Sequence, residues 1–178
     1  MVAGSEWFSP TRMVGLAAYL ISTAACVSRS MRDRREGVSA RVFVVLSWIQ
    51  FALLLDIVFD WRWRIHDFWM REAQGHGLYD QRRPVQLIAL VILGSGAGLA
   101  LLLIGRQFRG KLGAAIAAGS TLLAAGLWCC ECLSYHFVDA VLYRLVGKVM
   151  IISLVWISLA AVTCFGAWLD GARRRRRN

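Results

Sequence analysis

The segment VMIISLVWISLAAVTCFGAWL, residues 149–169, decides the fold, because it carries no charged residue over a length that crosses a bilayer as a helix. It is followed at once by DGARRRRRN, residues 170–178, in which five arginines are consecutive. A long apolar segment that ends in a basic cluster is typical of a transmembrane helix leaving the membrane. The sequence therefore predicts a span at 149–169 and a basic tail at 170–178.

Four more apolar segments precede this one and predict spans at about 13–28, 42–59, 84–104 and 113–133. The chain is 58% hydrophobic, above the roughly 45–50% of soluble domains. We therefore expect an all-α integral membrane protein with one domain over residues 1–178, a bundle of about five transmembrane helices. The first segment is the weakest, so four spans is the alternative. The first ten residues lack Lys and Arg, which favours a retained span over a signal peptide.

Two connections have a distinct composition. Residues 61–83 mix Trp, His and charged residues, which predicts an interfacial amphipathic helix with a turn at Gly75 and Gly77. This segment is interpreted mainly as a membrane-surface anchor, with a platform for a partner as the alternative. The segment RSMRDRREGVSAR, residues 29–41, has no apolar periodicity and predicts a solvated loop.

Basic residues are distributed unevenly between the two sides that five spans define. One side receives thirteen Lys and Arg residues against three acids, and the other receives eight against eight. This asymmetry predicts a cell (inner) membrane protein with the N-terminus outside and the C-terminus cytoplasmic. Because the basic residues flank spans, we expect the lipid bilayer as their partner and no nucleic acid, despite a pI near 10.3.

Polar residues at membrane depth require a reason, and the sequence places the candidates on the outer side only. Asp56 and Asp60 share one helix face, and the last turns of the fourth span carry further metal-ligand types. If the second and fourth spans are neighbours, these groups converge. The candidate metal ligands are Asp56, Asp60, Cys129, Glu131, Cys132 and His136, and the candidate haem ligands are His66 and His136.

Three interpretations of this cluster stay open. The acids could form interhelical ion pairs with Arg62, Arg64 or Arg144, which needs no ligand. They could instead bind a transition metal or haem, or line a substrate or proton pathway through Asp56 and Glu131. No recognised ligand spacing or catalytic motif occurs in the sequence to decide between them.

Two short patterns add further hypotheses. Cys129 and Cys132 form a CxxC, the spacing of dithiol redox pairs, although inert packing is the simpler interpretation. Gly94 and Gly98 have GxxxG spacing, which lets another helix approach closely, either within the chain or from a second protein.

With little soluble mass, the leading function is a small non-catalytic accessory or structural subunit of a membrane complex, whose outer-face polar cluster docks a partner or binds a cofactor. The expected partner is a membrane protein or a second copy of the chain. A membrane redox protein that binds metal or haem is the main alternative, and a small transporter is the third.

Overall fold

The computed structural model describes residues 9–77, 82–133 and 136–175, apart from the side chains of residues 82, 136, 137 and 173–175. Within these ranges the chain forms seven helices and one antiparallel hairpin. They are α1 (Pro10–Arg35), α2 (Arg41–Phe59), α3 (Trp61–Gly75), α4 (Arg82–Gln107), α5 (Leu112–Leu133), α6 (His136–Leu142), β1 (Leu145–Val146), β2 (Val149–Met150) and α7 (Ile151–Arg175).

Five helices are long and apolar enough to cross a membrane, namely α1, α2, α4, α5 and α7. The chain is therefore an all-α bundle with five candidate spans, as the sequence predicts. The last helix begins two residues later than expected, because Val149 and Met150 pair with the preceding strand around a turn at Gly147. The interfacial segment forms α3, which ends at Gly75 before a turn containing Gly77.

Four of the spans make a closed core. Helices α1, α2, α5 and α7 form a ring in which each packs against its two neighbours, while α4 packs outside the ring against α5. Between 28% and 39% of the apolar window of each ring helix is buried, against 0% for α4. The core consequently belongs to four helices, and the fifth lies at the periphery.

Small residues allow the ring helices to approach closely. A Cβ added at Gly113 of α5 would lie 2.6 Å from the carbonyl oxygen of Gly166 of α7, so backbone meets backbone at this crossing. Ala117 and Ala167, both almost fully buried, extend the same contact. Because lipid is as apolar as Leu, close van der Waals packing of this kind is a main source of helix association in a membrane.

The junction between α2 and α3 fixes the position of α3. Asp60 adopts a left-handed conformation, with φ 54°, which Asp tolerates better than most residues and which ends α2. The chain turns there and α3 crosses the end of the bundle, packing against α5. We call this end the α3 end, and the opposite end, where α1 and α7 finish, the tail end.

The expectation of a solvated loop at 29–41 is wrong for its first seven residues. Helix α1 continues to Arg35, and Arg29 and Asp33 are buried. The guanidinium of Arg29 forms ion pairs with Asp33 and, at 3.2 Å, with Asp170 of α7. Paired charges can thus extend the helix beyond its apolar segment, which hydropathy alone does not reveal.

Candidate functional site at the α3 end of the bundle

Arg62 is the centre of the polar cluster at the α3 end. It lies in the first turn of α3, is 6% exposed, and points into the core from the end of the ring. Its Nε lies 3.0 Å from Oδ2 of Asp56, and its Nη1 donates a 2.7 Å hydrogen bond to Oε1 of Glu131. The backbone N–H of Arg62 also donates to Oδ1 of Asp56. One cation therefore joins α2, α3 and α5.

Two aromatic residues complete the cluster. Tyr143 donates its hydroxyl to Oε1 of Glu131 at 3.1 Å, and the ring of Trp156 lies 4.9 Å from the Arg62 guanidinium carbon. A cation facing an indole ring in this way is stabilised by the ring quadrupole. Tyr143, which precedes the hairpin, and Trp156 of α7 therefore both belong to the cluster around Arg62.

The surroundings raise the pKa of both polar groups that lie outside the spans. Burial alone would lower the pKa of Arg62, but the carboxylates of Glu131 and Asp56 outweigh it and raise that pKa above its usual value. Burial and the negative charge of Glu131 raise the pKa of Tyr143 as well. At neutral pH Arg62 is therefore a cation and Tyr143 a neutral donor.

A cavity of about 360 Å³ opens beside this cluster. Arg62, Glu131, Tyr143 and Trp156 line it together with Arg12, whose Nη1 lies 3.0 Å from Oδ2 of the half-exposed Asp60. Its volume lies near the lower limit of small-molecule sites, roughly 300 Å³. The cavity can accept a small polar group or a partner's side chain.

The structure separates the residues that the sequence grouped together. Asp56 and Glu131 meet at Arg62, whereas Asp60 forms an ion pair with Arg12.

Cys129 and Cys132 line a different cavity of about 460 Å³, bounded by α3, α4 and α5. His66 contacts Trp63 edge to face at 6.2 Å. The side chain of His136 lies outside the described residues, so its pairing with His66 stays a prediction.

Within the described part of the chain, no group of three or more His, Cys, Asp or Glu side chains could hold a metal ion. The ion-pair interpretation is confirmed for Arg62, which engages both deep carboxylates. The metal hypothesis thus depends on His136 and stays a prediction.

The described part of the chain provides no internal helix partner for the Gly94 and Gly98 pattern. A Cβ added at Gly94 or Gly98 meets no atom of the described residues within 4 Å. Close approach inside the chain occurs instead at Gly113 and Gly166. Packing of Gly94 and Gly98 against a second protein stays a prediction.

Sequence reasoning missed a polar layer at mid-depth. Gln50 of α2 accepts a 2.9 Å hydrogen bond from Ser22 of α1 and donates to Thr121 of α5 at 2.9 Å and to Thr163 of α7 at 3.5 Å. A partial signal was present on two helices, where Ser22 precedes Arg29 and Thr163 precedes Asp170 by seven residues, which places each pair on one helix face.

These features describe a multi-pass membrane protein with a closed four-helix core and a charged cavity at one end. Comparison with protein-family models, with curated proteins and with solved structures finds no match for this chain.

Proposed function

We propose that this protein is a non-catalytic accessory or structural subunit of a membrane complex, and that a transmembrane helix of its partner binds beside α4. The observation that carries the proposal is the position of α4, whose apolar window is 0% buried while every ring helix is partly buried. A span with no fully buried residue in its apolar window has a face available for another chain.

The exposed face of α4 has the composition of a helix contact. Leu93, Ala97 and Ile104 are half-buried on the side towards α5, and Gly94 and Gly98 lie on average roughly a quarter-turn away from the centre of that side. Glycines at this spacing give little packing against lipid chains but allow a second backbone to approach. A partner helix in this position would lie alongside α4 without displacing α5.

The state of the deep acids supports a structural role over transport or catalysis. Asp56 and Glu131 are almost fully buried, and both are engaged by Arg62. A carboxylate on a transport pathway must exchange its partner for substrate or protons, which these ion pairs oppose. The cavity beside Arg12 and Asp60 then offers a second contact, where a partner's polar side chain can bind.

Purification in mild detergent tests the proposal. We expect the wild-type chain to elute with a second polypeptide or with its own copy, at a mass well above 19.9 kDa plus the detergent micelle. Gly94→Leu together with Gly98→Leu should release the chain as a monomer, because two Leu side chains separate the helices.

Gly96→Leu is the matched control, since Gly96 also has no described neighbour within 4 Å but points about 200° away from Gly94. The control should keep the complex. A wild-type chain that elutes alone, or a complex that survives the double substitution, would contradict the proposal.

We further propose that the protein lies in the cell (inner) membrane with the α3 end outside and the tail end cytoplasmic. The support is the count of Lys and Arg, thirteen on the tail side against eight on the other. An excess of this sign is typical of cytoplasmic loops.

A membrane redox protein is the second candidate, favoured by one observation. Cys129 and Cys132 are free thiols that line the same apolar cavity, together with Trp69 and Trp128. A lipid-soluble quinone bound there could take two electrons and two protons from the dithiol, leaving a disulfide and a quinol. Mass spectrometry of the alkylated protein after incubation with a quinone tests this: loss of two alkylation sites would support it, and full alkylation would exclude it.

A further inference from the structure

A cleft of about 420 Å³ lies between α1 and α7 at the tail end, far from the Arg62 cluster. The two helices contribute stripes of small residues to it, with Trp168 as one wall. The lining residues are Ala25, Ser28, Arg29, Arg32, Cys164, Ala167, Trp168, Gly171 and Ala172.

The chemistry of the cleft changes along its length. Ala25 and Cys164 lie at the deeper end, and Arg32 lies two turns further along α1, close to where the helix leaves its apolar segment. Trp168 is 65% exposed beside the cleft, as is common for indole side chains at the headgroup layer. An apolar groove that ends at arginine matches a molecule with a hydrocarbon chain and an anionic head.

The charge balance at this end also favours an anion. Of the three acids there, Asp33 and Asp170 are 0% and 4% exposed and are held by Arg29 inside the bundle. On the described surface near Arg32 only Glu36 carries a negative charge, while Arg32, Arg34 and Arg35 in the last turn of α1 are exposed. The buried ion pairs thus leave the described surface at this end with an excess of positive charge.

We propose that this cleft binds one anionic phospholipid, with an acyl chain against Ala25 and Cys164 and the phosphate beside Arg32. Basic pockets between transmembrane helices on the cytoplasmic side are typical sites for anionic head groups. The site is independent of the proposed partner contact at α4.

Native mass spectrometry of the delipidated full chain, titrated with phosphatidylglycerol or phosphatidylcholine, tests the proposal. We expect one phosphatidylglycerol to bind tightly and phosphatidylcholine to bind weakly. Arg32→Gln should weaken the binding of phosphatidylglycerol about fivefold, since one arginine near the surface contributes about 1 kcal/mol to the binding of anionic lipid. Ala25→Leu, which fills the deeper part of the cleft, should weaken it as well.

Arg106→Gln is the control. Arg106 is an exposed arginine in the last turn of α4, at the tail end of the bundle, and it does not line the cleft. Equal losses for Arg106→Gln and Arg32→Gln would mean diffuse attraction and would overturn the site. Displacement of the lipid by millimolar inorganic phosphate would assign the cleft to a free anion instead.

Discussion

At the scale of single residues, Arg62 decides how the α3 end is held together. Two carboxylates and one guanidinium leave the described cluster with a formal charge of −1, while Tyr143 donates to Glu131 and the ring of Trp156 faces the guanidinium. A buried charge that loses its partner is far more costly than a pair replaced as a whole. The stability of this end should therefore depend on Arg62 more than on either acid.

Arg62→Met tests that dependence. The substitution leaves Asp56 and Glu131 buried without a cation, so we expect a loss of about 3–5 kcal/mol, measured as a fall in the melting temperature in detergent. Arg64→Met, at an exposed position two residues further along α3, should change stability by less than about 0.5 kcal/mol.

A variant in which all three charged groups of the cluster are neutral distinguishes the contribution of charge balance from that of packing. Adding Asp56→Asn and Glu131→Gln to Arg62→Met should restore most of the lost stability, because no unpaired charge is left. If the triple variant is as unstable as Arg62→Met, packing and not charge balance explains the role of Arg62.

Tyr143 predicts a specific pH dependence. Because its pKa is raised in the folded protein, the phenol stays protonated there while an unfolded tyrosine ionises near pH 10. The contribution of Tyr143 to the stability of the folded protein is therefore complete below about pH 10 and declines as the pH rises further. Tyr143→Phe should melt earlier than wild type at pH 7.5, and the difference should shrink at pH 10.5. A difference that does not change with pH would mean that burial and the charge of Glu131 do not raise the pKa of Tyr143 in the folded protein.

At the scale of helices, the two polar layers are seven residues apart on α1 and on α7. Ser22 and Thr163 belong to the middle layer, and Arg29 and Asp170 belong to the layer at the tail end. Because seven residues make almost two helical turns, both members of each pair lie on the same face of their helix. Polar groups thus occur at core positions, where each finds a partner on a neighbouring helix.

Gln50→Leu tests how much the middle layer contributes. Membrane hydrogen bonds between helices average about 0.6 kcal/mol, and the hydroxyls of Ser22 and Thr163 also donate to carbonyls of their own helices. We expect a loss of about 1 kcal/mol, clearly smaller than for Arg62→Met. Gln107→Leu, at an exposed helix end, is the control and should be neutral. A loss as large as that of Arg62→Met would show that the layer acts as one network.

Gly113→Ala tests the contact between α5 and α7. The new Cβ would overlap the backbone nitrogen of Asp170, and backbone atoms cannot yield without moving the helix. Overpacking of this kind costs about 1–3 kcal/mol. Gly126→Ala in the same helix meets nothing described within 4 Å and should be tolerated. Equal stability of the two variants would mean that α5 can shift freely against α7.

The sequence predicted the elements better than their contacts. Apolar length alone located all five spans, because crossing hydrocarbon imposes it. Asp56 and Glu131 were recognisable because charge at membrane depth is rare. Their common partner, Arg62, was one of three candidates, since the choice depends on how α3 folds back at Asp60. The Arg29 ion pairs were missed because hydropathy treats every arginine as solvated.

At the scale of the whole molecule, orientation should depend on the tail. Replacing Arg173–Arg177 with Gln reduces the count of Lys and Arg on the tail side from thirteen to eight, equal to the eight on the other side. Because orientation follows the difference in basic residues, we expect a mixed population. A C-terminal green fluorescent protein, which fluoresces in the cytoplasm, and a C-terminal alkaline phosphatase, which is active outside, measure the two fractions.

The matched control removes basic residues from the other side. Replacing Arg64, Arg71, Arg83 and Arg144 with Gln widens the difference to thirteen against four, so the fluorescent fraction should stay at its wild-type level. Phosphatase activity at the wild-type C-terminus would reverse the proposed orientation. It would also place the basic cleft between α1 and α7 on the outer side, so orientation and lipid binding can be tested on the same protein.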